Sequence, residues 1–323
     1  MAIKWYDCIS SDLVKVDEVM DAITDRAENP LLKEMCQYVL SNHGKRVRPS
    51  LCLLSFYALG GTDPEKAIDV GAAIEIIHNA TLIHDDINDE GEMRRGAKVL
   101  YKQYSLGRSI VAGDFMFALG FQLMGSCSND VVNFVIDAAA AMGSGEFDQK
   151  RYERNVAADE EQYIKIITGK TARLLECAAK CGAYLARPGD LDAVQCLGNF
   201  AFNIGLAFQV IDDLLDVIGD QNNTGKAVGN DLVEGKPTIP VIYGIQDPVH
   251  GKRIREIFED PSTDYDGARE AIALIKQTDS IERCYALANH YADLALKDLE
   301  PLEDSEYKQA LIDFAKFIIS RDR

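Results

Sequence analysis

Two stretches of this chain, 65–89 and 190–218, can each run unbroken as a helix, and each closes on aspartates four residues apart. The first ends HDDIND, with Asp85, Asp86 and Asp89; the second ends QVIDDLLD, with Asp212, Asp213 and Asp216. Asp63-Pro64-Glu65 reads as an N-cap followed by proline at the first helical position, and Gly91 stops that helix. At 1.5 Å per residue it is roughly 40 Å long. Asp190, after Pro188-Gly189, caps the second, which ends near Ile218-Gly219. A further helix is expected over 31–40, with Leu31, Leu32, Met35, Tyr38 and Val39 on one face, Pro30 in its first turn and Gly44 beyond its end. Strand alternation is nearly absent. Residues 219–237, rich in Gly and Asn, read as a mobile loop. With no repeat, low-complexity tract or linker, the expectation is a single all-α domain, a helical bundle over 1–323.

The aspartates carry the chemistry. Four residues apart on a helix, carboxylates share a face. At about 6 Å and an effective dielectric of about 20, each pair repels by roughly 3 kcal/mol. Both clusters also lie at helix C-termini, where the dipole is already negative. A fold that accepts this twice needs cations there, and hard oxygen-seeking ions, Mg²⁺ above all, suit the donors. A calcium loop is the natural rival, since Asp86, Asn88, Glu90 and Gly91 copy the first half of an EF-hand. Its twelfth position is Ala97, where a bidentate Glu is required, so that rival fails.

Composition narrows the partners. A net charge of −18 argues against nucleic acid and anionic membrane surfaces, so any phosphorylated substrate needs a local island of positive charge. Such islands exist: Gly44-Lys45-Arg46-Val47-Arg48-Pro49, Arg94-Arg95-Gly96, Lys170-Thr171, Lys226 and Lys236. Neither Gly-Lys site is a P-loop. Ile164 stands where the first glycine before Gly169-Lys170-Thr171 belongs, and Gly219 lies one residue too far from Gly225-Lys226, with Ala227 replacing the hydroxyl residue. His78 lies two turns above Asp85 and can reach the same cavity; no Ser/His/Asp or Cys/His arrangement accompanies it. Eight cysteines without paired spacing, apart from Cys177 and Cys181 one turn apart, read as reduced core thiols of a cytoplasmic protein. The N-terminus carries early acids and no continuous apolar stretch, so neither a signal peptide nor stable membrane insertion is expected. Carboxylates plus isolated cations suit holding diphosphates through metal ions.

In order along the chain, GKRVRP at 44–49, HNATLIHDDIND with RRG at 78–96, GEFDQ at 145–149, GKT at 169–171, FQVIDDLLD at 208–216 and TGKAVGNDLVEGKPTIP at 224–240 resemble the polyprenyl synthetase family, the trans-isoprenyl diphosphate synthases. The likeness covers nearly the whole length. It departs at His43, where the family usually shows a glycine. The resemblance implies an all-helical, isoprenoid-synthase-type bundle, a homodimer, with the two aspartate motifs facing across a central cavity. By the same resemblance Asp85, Asp89 and Asp212 bind Mg²⁺ directly, with Asp86, Asp213 and Asp216 in or near the metal shell, three ions per site and Mn²⁺ able to substitute. Arg94, Lys170 and Lys226 help grip the allylic diphosphate. Thr171 and Gln209 lie beside its reaction centre, and Asp231 and Lys236 belong to a closing loop. Lys45, Arg48, His78 and Arg95 hold isopentenyl diphosphate. Ionisation of the allylic C–O bond gives a carbocation, the isopentenyl double bond attacks it, and a proton is lost; water must be excluded.

Ala80 and Thr81, five and four residues before Asp85, line the wall along which the product grows, continued by Ile77, Ile76 and Ile74. Short-chain family members usually place an aromatic floor there. Two small residues imply an open cavity and a product longer than twenty carbons, unless Phe117, Phe121 or Phe134 supplies the floor. Geranylgeranyl or farnesyl diphosphate synthases are the alternative, as is a non-catalytic subunit, though the chain keeps every aspartate. Terpene cyclases and head-to-head condensing enzymes share the acidic logic but have no use for Lys45, Arg48, His78 and Arg95.

Overall fold

Short polar side chains start the helices where local chemistry allows it. In the computed structural model, which describes residues 4–41, 44–219 and 228–320, Asn29 Oδ1 accepts from the Leu31 and Leu32 amides and opens the helix Pro30–Ser41. Asp63 Oδ1 accepts from the Glu65 amide at 3.4 Å before the helix Glu65–Asn88, and Asp190 Oδ1 accepts from Ala193 at 3.1 Å before Leu191–Ile218. Within Pro30–Ser41 the buried residues are Met35, Cys36 and Leu40, while Tyr38 and Val39 are half-buried. The buried face is thus rotated slightly from the expected one.

The backbone groups into two compact units, each made of three stretches of chain: 1–136 with 177–198 and 301–311, and 137–176 with 199–300 and 312–323. In the first unit the helix Glu65–Asn88 is buried on every turn from Ala67 to Ile83. Such all-round burial marks a central helix. Helices Ser10–Ile23, Val47–Ala58 and Leu106–Leu123 pack around it. Ala80 and Ile77 are fully buried, and Thr81 is half-buried with its hydroxyl donating to the His78 carbonyl at 2.7 Å. Phe117 stacks on His84, and Phe134 meets Tyr184 edge-on.

In the second unit the distal part of Leu191–Ile218 packs Val210, Ile211 and Leu214 against Ile239 and Ile242 of the buried helix Ile239–Ile245. Leu191–Ile218 is long and apolar enough to cross a membrane, yet 61% of its most apolar window is buried within the protein. The helix Glu160–Ile167 opens on a capping box, with Asp159 accepting from Glu161 and Gln162 and Gln162 accepting in return from Asp159. It passes into a wider π-turn, Thr168–Ala172, and then into the helix Arg173–Ala186.

Two details depart from the sequence reading. Met93–Arg94 and Ala97–Lys98 pair as a small antiparallel hairpin, the only strands among the described residues. Within 219–237, Asn230–Glu234 is a helix between Gly229 and Gly235, both in the left-handed region at φ 89° and 73°. The loop expectation is corrected there, with Gly229, Asn230 and Gly235 at the ends of a short helix; residues 220–227 lie outside the described residues. All eight cysteines are free thiols, and the Cys177 and Cys181 sulfurs lie 3.9 Å apart.

Candidate active site

In the first unit, Asp85, Asp86 and Asp89 sit at the end of Glu65–Asn88, with Asp86 buried and the others half-buried. Arg94 Nε donates to Asp86 Oδ1 at 2.7 Å. The RRG motif explains how Arg94 gets there. Arg95 and Gly96 form the hairpin turn with φ values of 52° and 81°, placing Arg94 opposite Ala97 and Met93 opposite Lys98. Successive left-handed residues match strand twist in a two-residue turn, and glycine adopts that geometry without strain. Tyr38 donates to the Lys98 carbonyl at 2.8 Å and ties the hairpin to Pro30–Ser41. Tyr38, Asn79, Asp86, Arg94 and Arg95 line a cavity of about 40 Å³.

Beside it the GKRVRP motif meets the same hairpin: a Cβ on Gly44 would lie 2.9 Å from the Arg95 guanidinium. Arg46 is not available to a ligand. Its guanidinium is buried between Asp17 (2.8 Å) and Glu75 (3.3 Å), and its backbone is left-handed at φ 48°. Arg48 differs, for its Nε is buried without a hydrogen-bond partner. Burial pushes Arg48 down to about 10, against the pull of Glu75 and together with repulsion from Arg95. Burial likewise lowers Arg95. His78 is held well below the ordinary histidine range by burial and then by Arg48, Arg95 and Arg94. Arg48 and Arg95 thus crowd each other and the His78 ring, and the buried Arg48 Nε is left for an acceptor. Lys45 is exposed nearby in the chain.

In the second unit, buried carboxylates dominate. Asp213 accepts from Tyr163 at 2.7 Å and from Gln209 Nε2 at 2.8 Å, and Gln209 Oε1 accepts from the Thr171 hydroxyl at 2.7 Å. Asp216 caps the helix Asn230–Glu234, accepting from the Asn230 and Asp231 amides at 3.2 and 3.1 Å. Asp212 is half-buried. Burial pushes Asp213 up to about 7; the Gln209 and Tyr163 hydrogen bonds lower it, and Asp212 and Asp216 raise it. Burial raises Asp231 as well, followed by Asp216 and Asp213. Lys236 pulls Asp231 the other way without overcoming its burial.

Lys170 and Thr171 project from the π-turn, a geometry frequent at functional sites. Lys170 Nζ donates to Gln149 Oε1 at 3.0 Å and pairs with Glu146. The GEFDQ motif thereby acquires a role. Its Gly145 lets the helix Asn129–Tyr152 touch the π-turn, since a Cβ there would fall 2.8 Å from the Lys170 amide nitrogen, and one on Gly169 would fall 3.0 Å from Gly145 Cα. Lys170, Thr171, Gln209, Asp213, Asp231 and Lys236 are among the residues lining a cavity of about 150 Å³. Lys226 and His43 lie outside the described residues.

Among the described residues no group of three or more His, Cys, Asp or Glu side chains is drawn together as a closed metal cage. The donors are nonetheless all carboxylate oxygens. Mg²⁺ keeps several waters and takes one or two carboxylates together with phosphate oxygens, so open carboxylate pairs fit it better than a protein cage would. Tyr163, Glu75, Glu146 and Gln149 are the residues that sequence reasoning left without a role. Glu146 and Gln149 share a helix face with i,i+3 spacing, which is a readable signal; Tyr163 carries none.

An all-helical architecture with one DDxxD cluster and one island of cations in each unit defines a diphosphate-handling, isoprenoid-synthase type of protein. The model of the polyprenyl synthetase family matches residues 29–275. A short chain isoprenyl diphosphate synthase from Methanothermobacter thermautotrophicus is 34% identical over 95% of each chain. An all-trans-nonaprenyl-diphosphate synthase (geranyl-diphosphate specific) from Rhodobacter capsulatus is 32% identical over 97% of this chain and 96% of its own. Among solved structures, a polyprenyl synthase from Caulobacter crescentus, complexed with calcium and isoprenyl diphosphate, superposes with a TM-score of 0.92 at 28% identity, covering 99% of this chain and 97% of its own. The chain belongs to the polyprenyl synthetase family, a family of prenyltransferases with this helical fold.

Proposed function

We propose that the chain is a trans-polyprenyl diphosphate synthase that condenses isopentenyl diphosphate with an allylic diphosphate, acting as one domain over 1–323. The observation that carries this reading is Arg48, whose Nε is buried and unpartnered and which is crowded by Arg95, in a chain of net charge −18. Arg48, Arg95 and Lys45 bind the isopentenyl diphosphate, and His78, held neutral, supplies a hydrogen bond rather than a charge. Lys170 and Lys236, with Lys226, hold the allylic diphosphate, and Arg94 serves it beside Asp86. Thr171 and Gln209, fixed by their bond to one another and to Asp213, face the allylic carbons.

Asp85, Asp89 and Asp212 would ligate Mg²⁺ directly, three ions per site with Mn²⁺ able to substitute, with Asp86, Asp213 and Asp216 in or near the metal shell. When bound, the ions supply the positive charge that lets diphosphate depart. The engagement of Asp86 with Arg94, and of Asp213 with Tyr163 and Gln209, supports this division of labour.

The product reading is longer than twenty carbons, supported by the small, buried Ala80 and by Thr81 along the wall with Ile77. The relatives straddle this point, one named a short chain synthase and another a nonaprenyl synthase. A cytoplasmic homodimer is the assembly favoured. Exposed Leu106, Ile110 and Val111 on one helix give an apolar face suited to a second copy.

The deciding experiment is product analysis by mass spectrometry, with purified protein, Mg²⁺, isopentenyl diphosphate and farnesyl or geranylgeranyl diphosphate. A ladder extending past twenty carbons and abolished by EDTA is expected. A ladder stopping at twenty would leave the synthase reading standing and overturn the long-chain one. No condensation by folded, metal-supplied protein would favour a subunit that depends on a partner.

A further inference from the structure

We propose that Arg154 is a positioning residue that fixes the segment carrying Asp231 and Lys236 to the chain just beyond the helix end presenting Glu146 and Gln149 to Lys170. The inference rests on the synthase reading above, in which Lys170 and Lys236 hold the allylic diphosphate. Arg154 lies two residues past the helix Asn129–Tyr152 and is left-handed at φ 52°. A bulky residue holds that backbone only where its surroundings over-determine it, and here they do. Its amide donates to the Gly235 carbonyl at 2.8 Å. Its Nη1 donates to the carbonyls of Phe258 (3.2 Å) and Asp260 (2.8 Å), and its Nη2 to that of Val233 (2.5 Å).

Val233 and Phe258 belong to the last turns of the helices Asn230–Glu234 and Gly251–Glu259. Carbonyls there have no acceptor role inside their own helix, and the helix dipole is negative. One guanidinium therefore closes two helix C-termini at once, which its planar, five-donor fork permits and a lysine ammonium does not reproduce. The fit is close: a Cβ on Gly235 would fall 2.4 Å from Arg154 Cγ. Lys236 follows directly, with its amide donating to the Asp231 carbonyl at 2.8 Å and its ammonium paired with Glu234. A shift of Gly235 is thus a shift of Lys236. At the other end of the same piece of chain, Gln149 and Glu146 hold Lys170. Arg154 sets the distance between the two lysines.

The test compares wild type, Arg154→Met, Arg154→Lys and Lys236→Ala as full-length chains with Mg²⁺, varying each diphosphate in turn. Arg154→Met should raise the allylic KM about tenfold and lower kcat, with the isopentenyl KM within about twofold of wild type and a circular dichroism spectrum like that of wild type. Arg154→Lys should restore the melting temperature more than it restores the allylic KM. A folded Arg154→Met with wild-type allylic KM would overturn the proposal, as would equal increases in both KM values. If Arg154→Met does not fold, Arg154→Lys decides by the same ratio of KM changes. Should wild type fail to condense the diphosphates, the synthase reading itself falls. Should wild type condense and Lys236→Ala raise the allylic KM while the Arg154 variants do not, only the positioning role falls.

Discussion

The Tyr163 hydroxyl donates to Asp213 Oδ2 at 2.7 Å, and both side chains are buried, fifty residues apart in the chain. The phenol is pushed far above its ordinary range by burial and then by Asp213, so it remains a donor across the working pH range. Tyr163→Phe keeps the ring and its packing but leaves a buried carboxylate oxygen without that donor. A loss of about 1–3 kcal/mol of stability is expected, together with reduced condensation, because Asp213 is then held by Gln209 alone. Urea denaturation of the two proteins checks the first part. A denaturation midpoint unchanged from wild type would show that the bond carries no net stability.

Arg46 is the cation that stabilises its own unit rather than binding a ligand, paired with Asp17 and Glu75. Glu75 is 2% exposed, and its Oε2 has no partner. Arg46→Met strands that carboxylate, and removing one member of a buried pair costs about 3–5 kcal/mol. Arg46→Met combined with Glu75→Gln should recover part of the loss, since the stranded charge is gone. Denaturation midpoints of the single and double variants test this; a single variant within about 0.5 kcal/mol of wild type would place the pair among inconsequential surface contacts.

His78 gives the protein a pH dependence of defined sign. Its pKa in the folded state lies well below the ordinary histidine value of 6.5 expected when unfolded, because burial and the neighbouring arginines disfavour the imidazolium. Below about pH 6.5 the unfolded chain binds a proton at this site that the folded protein refuses, so this contribution to stability falls as pH falls. The slope is up to about 1.4 kcal/mol per pH unit, flattening once the folded-state pKa is reached. Histidine-to-glutamine replacement removes it. Stability measured from pH 5 to pH 7.5 should therefore show wild type losing ground to His78→Gln as pH drops; parallel curves would mean that His78 is protonated in the fold.

Helix starts were legible because capping is local: Asp63 and Asp190 act on amides two or three residues away, and Pro30 opens a third helix, where the Asn29 cap emerges only in the structure. The short helix Asn230–Glu234 was not, because the carboxylate that caps it belongs to Asp216, fourteen residues earlier on another helix. The hairpin at 93–98 is too short for alternation to register, although the Arg95-Gly96 pair marks its turn. The aspartate clusters and the basic islands stand out by composition alone. Of their supports, Glu146 and Gln149 show only by their spacing, Tyr163 not at all, and Glu75 most clearly, as a charge set between Ile74 and Ile76 in a helix otherwise apolar at that level. A carboxylate in such a place is buried only with a partner, and that inference would have led to Arg46.

Product length can be tested at one residue. Ala80 is fully buried on the central helix of its unit, one turn and a residue before Asp85, and Ile77 continues the same wall, also fully buried. Phe117 stacks on His84, and Phe134 packs against Tyr184, so both aromatic rings already have partners on neighbouring helices. Replacing Ala80 by phenylalanine adds a ring where the growing chain is proposed to pass. Overpacking of this kind costs about 1–3 kcal/mol, so the variant's folding is verified by its melting temperature first. A folded Ala80→Phe should release shorter products than wild type at a comparable rate of first condensation, because the diphosphate-binding cations are untouched. Mass spectrometry of the two product ladders reads the outcome. An unchanged length distribution would place the floor elsewhere and remove Ala80 from the specificity wall.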